Sequence, residues 1–410
     1  MVVEKGYKLT EVGVIPEDWD EMRLNEIVNL MTNGFVGTAK IHYTDLSNGV
    51  LYIQGYNVME NAFNLHGIKY VTTDFHFKNQ KSCLRQGDLL TVQTGDVGLT
   101  TIVPYELEGS NCHALIITRF KKSHVYSKFV SFYFNSKQGR SRLKLIETGT
   151  TMKHLNVGNM LHFKIPLPPL HEQTAIANAL SDMDALIAQT EKLIEKKKAI
   201  KQGVMQELLK PKEGWVTKKL GENTSILRGG SPRPIEDFLT TTSDGINWIK
   251  IGDVGKTAKY ITSTDEKITP AGMSRSRVVN PGDFLLSNSM SFGRPYIMQI
   301  CGCIHDGWLV ITEYESNFDR DFLYYVLGSE AIFTQYKSMA SGSSVLNLSK
   351  EIVKEVKVIC PKYLDEQKQI ARILSDIDID IDFTETKLQK LKNQKQGMMQ
   401  ALLTGKIRLV

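Results

Sequence analysis

The sequence contains few cysteines and no long apolar run. Its five cysteines are odd in number, and only Cys301 and Cys303 lie close together. This usage is typical of a reducing compartment, so we expect no disulfide framework. No run of about 18 apolar residues occurs, and the opening MVVEKGYKLTEVG lacks the apolar segment of a signal peptide. We therefore expect a cytoplasmic protein without a membrane span.

The sequence also lacks a strong excess of one charge. It has 50 Lys and Arg against 45 Asp and Glu, which gives a formal net charge of +5. This mild basic balance permits nucleic-acid binding but does not by itself argue for it. With 410 residues, 41% of them hydrophobic and 23% charged, the chain is long enough for more than one globular core.

No complete catalytic or metal-binding motif is present. The stretch GDVGKT from Gly252 resembles a phosphate-binding loop, but Lys250 stands where that motif requires glycine. There is no glycine-rich methyl-donor loop and no tetrapeptide similar to DPPY. His113 and Asp306 have no third partner at a recognisable spacing, and the cysteines lack a second pair for zinc. The sequence therefore indicates a protein without its own catalytic centre.

A long internal repeat is the dominant feature of the sequence. LHEQTAIANALSDMD begins at Leu170 and LDEQKQIARILSDID begins at Leu364. The offset of 194 residues continues without a gap to the end of both copies, and 20 of the 38 positions in 172–209 and 366–403 are identical. Such similarity indicates a duplicated structural unit.

Apolar residues within both copies recur at alternating spacings of four and three. This period of about 3.5 residues is typical of a coiled-coil helix. Each helix would be about 55 to 60 Å long, and its narrow apolar stripe is best buried if the two copies pack on each other. The predicted seam between the helices consists of Ile176, Leu180, Met183, Ile187, Ile194, Ile370, Leu374, Ile377, Ile381, Leu388 and Leu391.

The segments before each helix repeat more weakly but in the same order. EDWDEMRLNEIV around Trp19 matches EGWVTKKLGENT around Trp215, and YIQGYNV from Tyr52 matches WIKIGDV from Trp248. TGTTMKHLN and SGSSVLNLS then precede the two helices. Short β-branched and aromatic runs broken by Gly, Asn and Asp predict strands. The predicted fold class is therefore α+β, with two tandem domains that are each followed by a long helix.

This organisation resembles the specificity (S) subunit of type I restriction–modification systems over nearly the whole chain. The segments GYKLTEVGVIPEDWDEMRL, IPLPPLHEQTAIANAL and EQKQIARILSDID are similar to conserved regions of that family. The resemblance implies target recognition domains at 1–164 and 211–358. It also implies long conserved helices at 165–210 and 359–410, which form an antiparallel coiled coil with pseudo-twofold symmetry.

The resemblance further implies a function and a set of partners. Each domain would read one half of a bipartite, gapped target in double-stranded DNA. The helices would fix the spacer and dock two methyltransferase (M) subunits, which two restriction (R) subunits join in the full complex. S-adenosylmethionine, ATP and Mg²⁺ are expected on those partners, whereas this chain would be non-catalytic.

Polar loop residues at matching places in the two domains are the candidates for DNA contacts. Arg can form paired hydrogen bonds with guanine, and Asn or Gln with adenine. The candidates in the first domain are Gln54, Tyr56, Asn57, Gln93, Thr94, Thr150, Thr151, Lys153 and His154. Those in the second domain are Arg228, Arg233, Lys250, Asp253, Asn288, Ser289, Arg294, Ser343 and Ser344. The same residues also fit solvated loops, and GTTMKHLN and GSSVLNLS fit turns that fix a domain against its helix.

Three alternatives remain open from the residues alone. The chain could be the target-recognition subunit of a type IIB system, which only the partner genes would distinguish. It could be an enzyme with an unrecognised site, which would transfer methyl groups as an isolated chain. It could also be a coiled-coil scaffold with two protein-binding heads, which would show no salt-sensitive, sequence-selective affinity for DNA.

Overall fold

The computed structural model describes residues 4–150, 153–255, 258–288, 292–340 and 348–409. The chain forms two compact units. Unit 1 contains residues 1–191 and 386–410, and unit 2 contains residues 192–385. Each unit holds one α+β domain and a part of both long helices. The prediction of two tandem α+β domains is therefore confirmed.

The domain of unit 1 is built mainly from short strands. Its strands are β1 (Tyr7–Thr10), β2 (Gly13–Pro16), β3 (Asp20–Arg23), β4 (Val28–Asn33), β5 (Tyr43–Thr44), β6 (Gly49–Ile53), β7 (Val58–Met59), β8 (Ala62–Phe63), β9 (Lys69–Thr72), β10 (Leu89–Val92), β11 (Thr100–Ile102), β12 (Asn111–Cys112), β13 (Leu115–Phe120) and β14 (Lys164–Leu167). Its short helices are α1 (Leu24–Ile27), α2 (Thr73–Lys78), α3 (Ser127–Asn135), α4 (Lys137–Leu145) and α5 (Val157–His162).

Two four-stranded sheets organise this domain. One sheet has the order β11-β10-β13-β4, and the other has the order β12-β6-β9-β5. Successive side chains of a strand point to opposite faces, so β13 can serve two cores at once. Leu115 and Ile117 pack with residues of β6 and β10 in one core. Ile116 instead joins the core that contains α3 and the long helices.

The domain of unit 2 has its own set of elements. Its strands are β15 (Val216–Lys219), β16 (Ser225–Arg228), β17 (Leu239–Thr240), β18 (Ile246–Ile249), β19 (Tyr260–Ile261), β20 (Glu266–Ile268), β21 (Arg277–Val279), β22 (Phe284–Ser287), β23 (Pro295–Met298), β24 (Gly302–Ile304), β25 (Trp308–Thr312) and β26 (Lys357–Cys360). Its short helices are α7 (Leu220–Asn223), α8 (Pro270–Met273), α9 (Arg320–Leu327), α10 (Glu330–Ala340) and α11 (Lys350–Glu355).

The strand order of the second domain repeats that of the first. One sheet has the order β16-β25-β22-β23-β19, which matches β4-β13-β10-β11 with one strand added at the edge. The other has the order β17-β20-β18-β24-β21, which matches β5-β9-β6-β12 with one strand added. A parallel pair, β6 with β12 and β18 with β24, occurs at the same place in both. The faint sequence repeat therefore reflects one fold used twice.

Two helices of 39 residues carry the strong repeat. They are α6 (Leu170–Leu208) and α12 (Leu364–Leu402). The first begins five residues after the predicted start at 165, because Lys164–Leu167 pairs with Asp20–Arg23 as strand β14. Pro168 and Pro169 then suit the first turn of a helix better than its interior. No helix in the described part of the chain is long and apolar enough to cross a bilayer.

Within unit 1 the two long helices run antiparallel. The ammonium of Lys395 lies 2.7 Å from the carboxylate of Asp184, and Lys392 lies 2.7 Å from Glu191. The residue numbers rise along one helix as they fall along the other, which fixes the antiparallel direction. The antiparallel pairing predicted from the resemblance is thus confirmed in this unit.

Unit 2 contains the same pair of contacts at positions shifted by 194 residues. Lys201 lies 2.5 Å from Asp378, and Lys198 lies 2.6 Å from Glu385. Since each unit uses Lys from one copy of the repeat and an acid from the other, the duplication of the sequence generates both pairs. The Lys198–Glu385 and Lys392–Glu191 pairs are about half-exposed and contribute about 0 to 1 kcal/mol each. Lys201–Asp378 and Lys395–Asp184 are less exposed. Because each pair joins one particular residue of either helix, all four favour this register.

The residues of the predicted seam lie on the inward side of the helices. Ile176, Leu180, Ile194, Ile370, Leu374, Ile381 and Leu391 are buried, and Met183, Ile187, Ile377 and Leu388 are half-buried. Thr190 and Thr384 occupy equivalent buried positions, and each hydroxyl donates to the carbonyl four residues earlier in its own helix.

The repeated Gln at the start of each long helix ties the helix to its domain. The side-chain oxygen of Gln173 accepts a hydrogen bond from the Tyr126 N–H at 2.8 Å, and its amide donates to the Pro168 carbonyl at 2.8 Å. Gln367 makes the matching bonds to Asp319 N–H and the Pro361 carbonyl at 2.9 and 3.0 Å. Both side chains are buried, so loss of either would leave buried polar groups unpaired.

Candidate DNA interface

In unit 1 several of the predicted loop residues lie together beyond the end of β10. Gln93 and Thr94 follow this strand directly. The N–H of Leu155 donates to the Gln93 carbonyl at 3.1 Å, and Thr94 forms an isolated bridge with His154. His154 also pairs with Thr148 through two backbone hydrogen bonds of 2.9 Å. Residues 93–94, 148–150 and 153–154 therefore lie together at one surface, on which Thr150 and Lys153 are exposed.

The predicted turn after β6 adjoins the same surface. A Cβ atom added at Gly55 would lie 3.7 Å from the Val92 side chain, so the turn packs against the end of β10. The Gln54 amide donates to the Tyr43 hydroxyl at 3.2 Å. Tyr56 is half-exposed, and its hydroxyl donates to the Gly67 carbonyl at 2.9 Å.

Unit 2 brings the matching segments together in the same way. The N–H of Leu348 donates to the Asn288 carbonyl at 2.8 Å, as Leu155 does to Gln93 in unit 1. The first residue after β22 and the described residue Leu348, two positions before α11, are therefore neighbours. The predicted residues Thr151, Ser289, Ser343 and Ser344 lie outside the described residues.

A cluster of polar side chains surrounds Asp306, in the loop between β24 and β25. Its carboxylate accepts hydrogen bonds from Arg233 Nη2 at 3.2 Å and from Ser231 Oγ at 3.2 Å, and it lies 2.9 Å from His305 Nε2. Partial burial acts to raise the pKa of Asp306, but His305, Ser231 and Arg233 outweigh it and hold that pKa below its ordinary value. The group is therefore an anion at neutral pH.

Two more of the predicted residues contact the backbone of Asp306. Arg228 Nε donates to the Asp306 carbonyl at 3.0 Å, and Asn288 Nδ2 donates to it at 3.3 Å. Arg228 ends β16, Arg233 lies in the loop that follows it, and Asn288 follows β22. The structure places all three of these predicted residues around Asp306. We call Arg228, Ser231, Arg233, Asn288, His305 and Asp306 the Asp306 cluster.

The sequence pattern did not predict His305 or Asp306 as DNA contacts. The sequence nevertheless contains a pattern that points to them. A histidine directly follows β12 in the first domain and β24 in the second, and these are the later strands of the two parallel pairs. The His113 N–H donates to the Ile53 carbonyl at 2.8 Å, and the His305 N–H donates to the Ile249 carbonyl at 3.2 Å. In unit 1 the next residue is Ala114, which has no carboxylate.

Two of the predicted DNA-contact residues have a structural role within their own domain. Asn57 is fully buried, accepts from the Gln54 N–H at 3.0 Å and donates to the Asn64 carbonyl at 2.8 Å. Asp253 accepts from the Lys250 N–H at 2.9 Å at the matching position of unit 2. Both side chains cap a short 3-10 turn, so the shared turn accounts for a hydrogen-bonding side chain at this position in both domains.

Two predicted basic residues of unit 2 lie outside the cluster. The Lys250 ammonium lies 2.6 Å from Glu266. The Arg294 guanidinium lies 5.6 Å from the centre of the Tyr296 ring, in a recess of about 750 Å³ that Lys198 and Lys201 also line. Within the described ranges, no group of three His, Cys, Asp or Glu side chains could hold a metal ion.

Comparison with known families decides where this arrangement belongs. The family model described as the type I restriction modification DNA specificity domain matches residues 16–201 and again residues 212–393. The chain belongs to this family. The two matches coincide with the two repeats, so the chain is a type I specificity subunit with two specificity domains in tandem.

A relative with a specificity-subunit description matches nearly the whole chain, and two solved structures share its fold. The specificity subunit is 26% identical over 436 residues to the putative type I restriction enzyme MjaX specificity subunit of Methanocaldococcus jannaschii, with 99% of this chain and 97% of that protein covered. It is similar in fold to a chain from a study of complex assembly and conformational transition of the type I R-M system, with a TM-score of 0.61 and 18% identity over 96% and 99% of the two chains. The type I S subunit from M. genitalium gives a TM-score of 0.57 and 17% identity over 96% and 97%.

Proposed function

We propose that this specificity subunit reads a bipartite DNA target, one half with each domain, and directs partner subunits that carry out the chemistry. The partners would be M subunits, which bind S-adenosylmethionine and methylate an adenine in each half-site. R subunits, which use ATP and Mg²⁺, would join them for cleavage. The chain itself would position the DNA and catalyse no step.

One observation carries this proposal. A single fold occurs twice in one chain of the specificity family. In both copies the residue after the same strand, Gln93 or Asn288, accepts a backbone hydrogen bond from a leucine that lies shortly before a short helix, Leu155 or Leu348. The two domains share this backbone geometry but differ in side chains, since unit 1 has Gln93 and Ala114 where unit 2 has Asn288 and Asp306. Two similar domains with different side chains suit a target with two different halves.

Exposed apolar side chains on the long helices support docking of the M subunits there. Leu186, Leu193 and Ile200 recur every seven residues along α6 and are 38%, 44% and 49% exposed. Ile379 and Phe383 on α12 are 65% and 70% exposed. Apolar residues gathered on one helix face, rather than scattered singly, are typical of a surface that another protein covers.

Genome-wide mapping of methylated adenine tests the proposal directly. The chain is co-expressed with the M subunit encoded beside it in a host that lacks adenine methylation, and N6-methyladenine is mapped by sequencing. We expect a motif of two short specific halves separated by an unread gap, methylated on both strands. Methylation of a continuous motif would contradict the two-domain model. An absence of methylation with a catalytically active M subunit would favour a scaffold that does not bind DNA.

We also propose that α6 and α12 set the length of the gap. Each is unbroken over 39 residues, so a four-residue insertion at the middle of both would extend the pair by about 6 Å. Since base pairs are about 3.4 Å apart, the gap in the methylated motif should grow by one or two base pairs. The control is the same insertion in α6 alone, which shifts the buried apolar seam and the ion pairs out of register with α12 and should abolish methylation. An unchanged gap in the double insertion would show that the helices do not set it.

A further inference from the structure

Arg233 reaches further into solvent than the Asp306 carboxylate that it contacts. Its side chain is 80% exposed, against 30% for Asp306 and 42% for His305. Pro232 and Pro234 flank it in the sequence SPRP. Because proline fixes φ near −65°, the loop loses less conformational freedom when Arg233 binds a ligand than an unrestrained loop would.

In the described part of the chain, the Asp306 carboxylate is the one hydrogen-bond partner of the Arg233 guanidinium. Among the described residues its hydrogen bond runs from Nη2 to the Asp306 carboxylate at 3.2 Å. A guanidinium has five N–H donors arranged along its edges, and one bond from Nη2 uses a single hydrogen. One edge with two parallel donors therefore stays available, and it is held in orientation by an anion that Ser231 and His305 also contact.

The surroundings of this edge are basic. Arg228, Arg275 and Arg277 are exposed on neighbouring segments of unit 2. The Arg277 Nε approaches the Arg228 carbonyl at 3.5 Å, and Gly230 packs close to the Arg275 backbone. This concentration of positive charge, where the edge strands β16 and β21 of the two sheets approach each other, suits the phosphate backbone of a duplex.

We propose that Arg233 reads a guanine in the half-site of the second domain, and that Asp306 positions it to do so. The ligand is the major-groove edge of a G·C pair, whose guanine N7 and O6 accept two parallel hydrogen bonds from the free edge of Arg233. This inference rests on the proposed function above. It adds a named base and a named residue, and it applies to one half-site, because unit 1 has Ala114 where unit 2 has Asp306.

The two parallel N–H donors of Arg233 and its positive charge contribute differently to DNA recognition, and two variants separate these contributions. Arg233→Ala removes both, whereas Arg233→Lys keeps the charge but loses the two parallel donors. Methylation by the chain with its M subunit is mapped across the genome for each. We expect one G·C position in one half-site to become degenerate in both variants, with the preference for that pair falling on the order of 10- to 100-fold. The other half-site and the gap should stay unchanged.

Asp306→Asn tests the positioning role with almost no change in size. It keeps acceptor capacity for Ser231 but weakens the hold on Arg233, so we expect partial degeneracy at the same base position. A purely structural role would instead lower methylation equally at all sites. The matched control is Lys362→Ala, which removes one exposed charge of unit 2 elsewhere and should leave the motif as in the native chain.

Several results would overturn the proposal. A native motif in which neither half contains a G·C pair would exclude it at once. Uniformly weaker methylation with an unchanged motif in both Arg233 variants would identify a phosphate contact, and complete loss of methylation in both would show that the residue has a different role. These outcomes differ from failure of the proposed function, in which the native chain itself would give no gapped motif.

Discussion

Exchange of the first domain for that of a relative with a different target should replace one half of the methylated motif and leave the other half unchanged. The loops of the candidate surface and the core between the two sheets lie wholly within this domain. The specific contacts should therefore move with the exchanged segment. The exchange is scored by mapping methylated adenine with the native M subunit, and we expect every specified base of one half-site to change.

The structure decides where this chimera must be joined. A junction at residue 164 would separate Lys164–Leu167 from its partner strand Asp20–Arg23, so residues 1–169 have to be exchanged together. The core of the domain also contacts Ile176 and Leu180 of α6. A donor with apolar residues at the facing positions is needed, since a cavity there would cost about 2 to 5 kcal/mol.

The reciprocal exchange provides the control. Replacement of residues 212–360 keeps β15 paired with β26 and should change the other half of the motif. If either chimera altered both halves, the domains would not be independent readers. If either altered the gap, the length of the spacer would depend on the domains and not on the helices alone.

The long helices and the duplicated domains could be predicted from the sequence because they follow from patterns. A heptad spacing sustained over 38 aligned positions leaves few alternatives to a helix pair, and a repeated order of strand signals implies a repeated fold. The exact start of α6 could not be predicted. It depends on the pairing of Lys164 with Arg23, whose positions are 141 residues apart in the sequence.

The individual roles of polar residues were harder to predict. Asn57 and Asp253 carry side chains typical of DNA contacts, but the same chemistry caps a 3-10 turn, and sequence alone does not separate the two uses. The Asp306 cluster joins residues up to 78 positions apart. The Asp306 carboxylate gains these partners only because the sheets bring the loops that follow β16, β22 and β24 close together in space.

The end of the chain is a further feature that the repeat could not reveal. Arg408 has Gly214 as its counterpart 194 residues earlier, so no comparison between the repeats indicates its role. Its guanidinium contacts Glu172 through Nε and Nη2, both at 2.7 Å, and Asp18 through Nη1 and Nη2 at 2.9 and 2.7 Å. Glu172 is fully buried and also accepts from the Trp19 indole at 2.9 Å.

Arg408→Ala should destabilise unit 1 by about 3 to 5 kcal/mol, because it leaves the buried Glu172 carboxylate without a positive partner. The chain folds as two units, so a single melting temperature would not isolate the effect. Hydrogen exchange resolved by peptide is the suitable measurement. Peptides from 13–23 and 170–180 should lose protection, while peptides of unit 2 should keep it.

The repeat itself supplies the matched control. Glu366 is the counterpart of Glu172, but it is exposed and accepts only from the Trp215 indole at 3.2 Å among the described residues. Glu366→Gln should therefore change the stability of unit 2 by about 0.5 kcal/mol or less. A double variant, Arg408→Ala with Glu172→Gln, removes the unpaired charge while Gln can still accept from Trp19, so much of the lost protection should return. If the double variant were no more stable than Arg408→Ala, the packing of the terminal segment and not the buried charge would account for the loss.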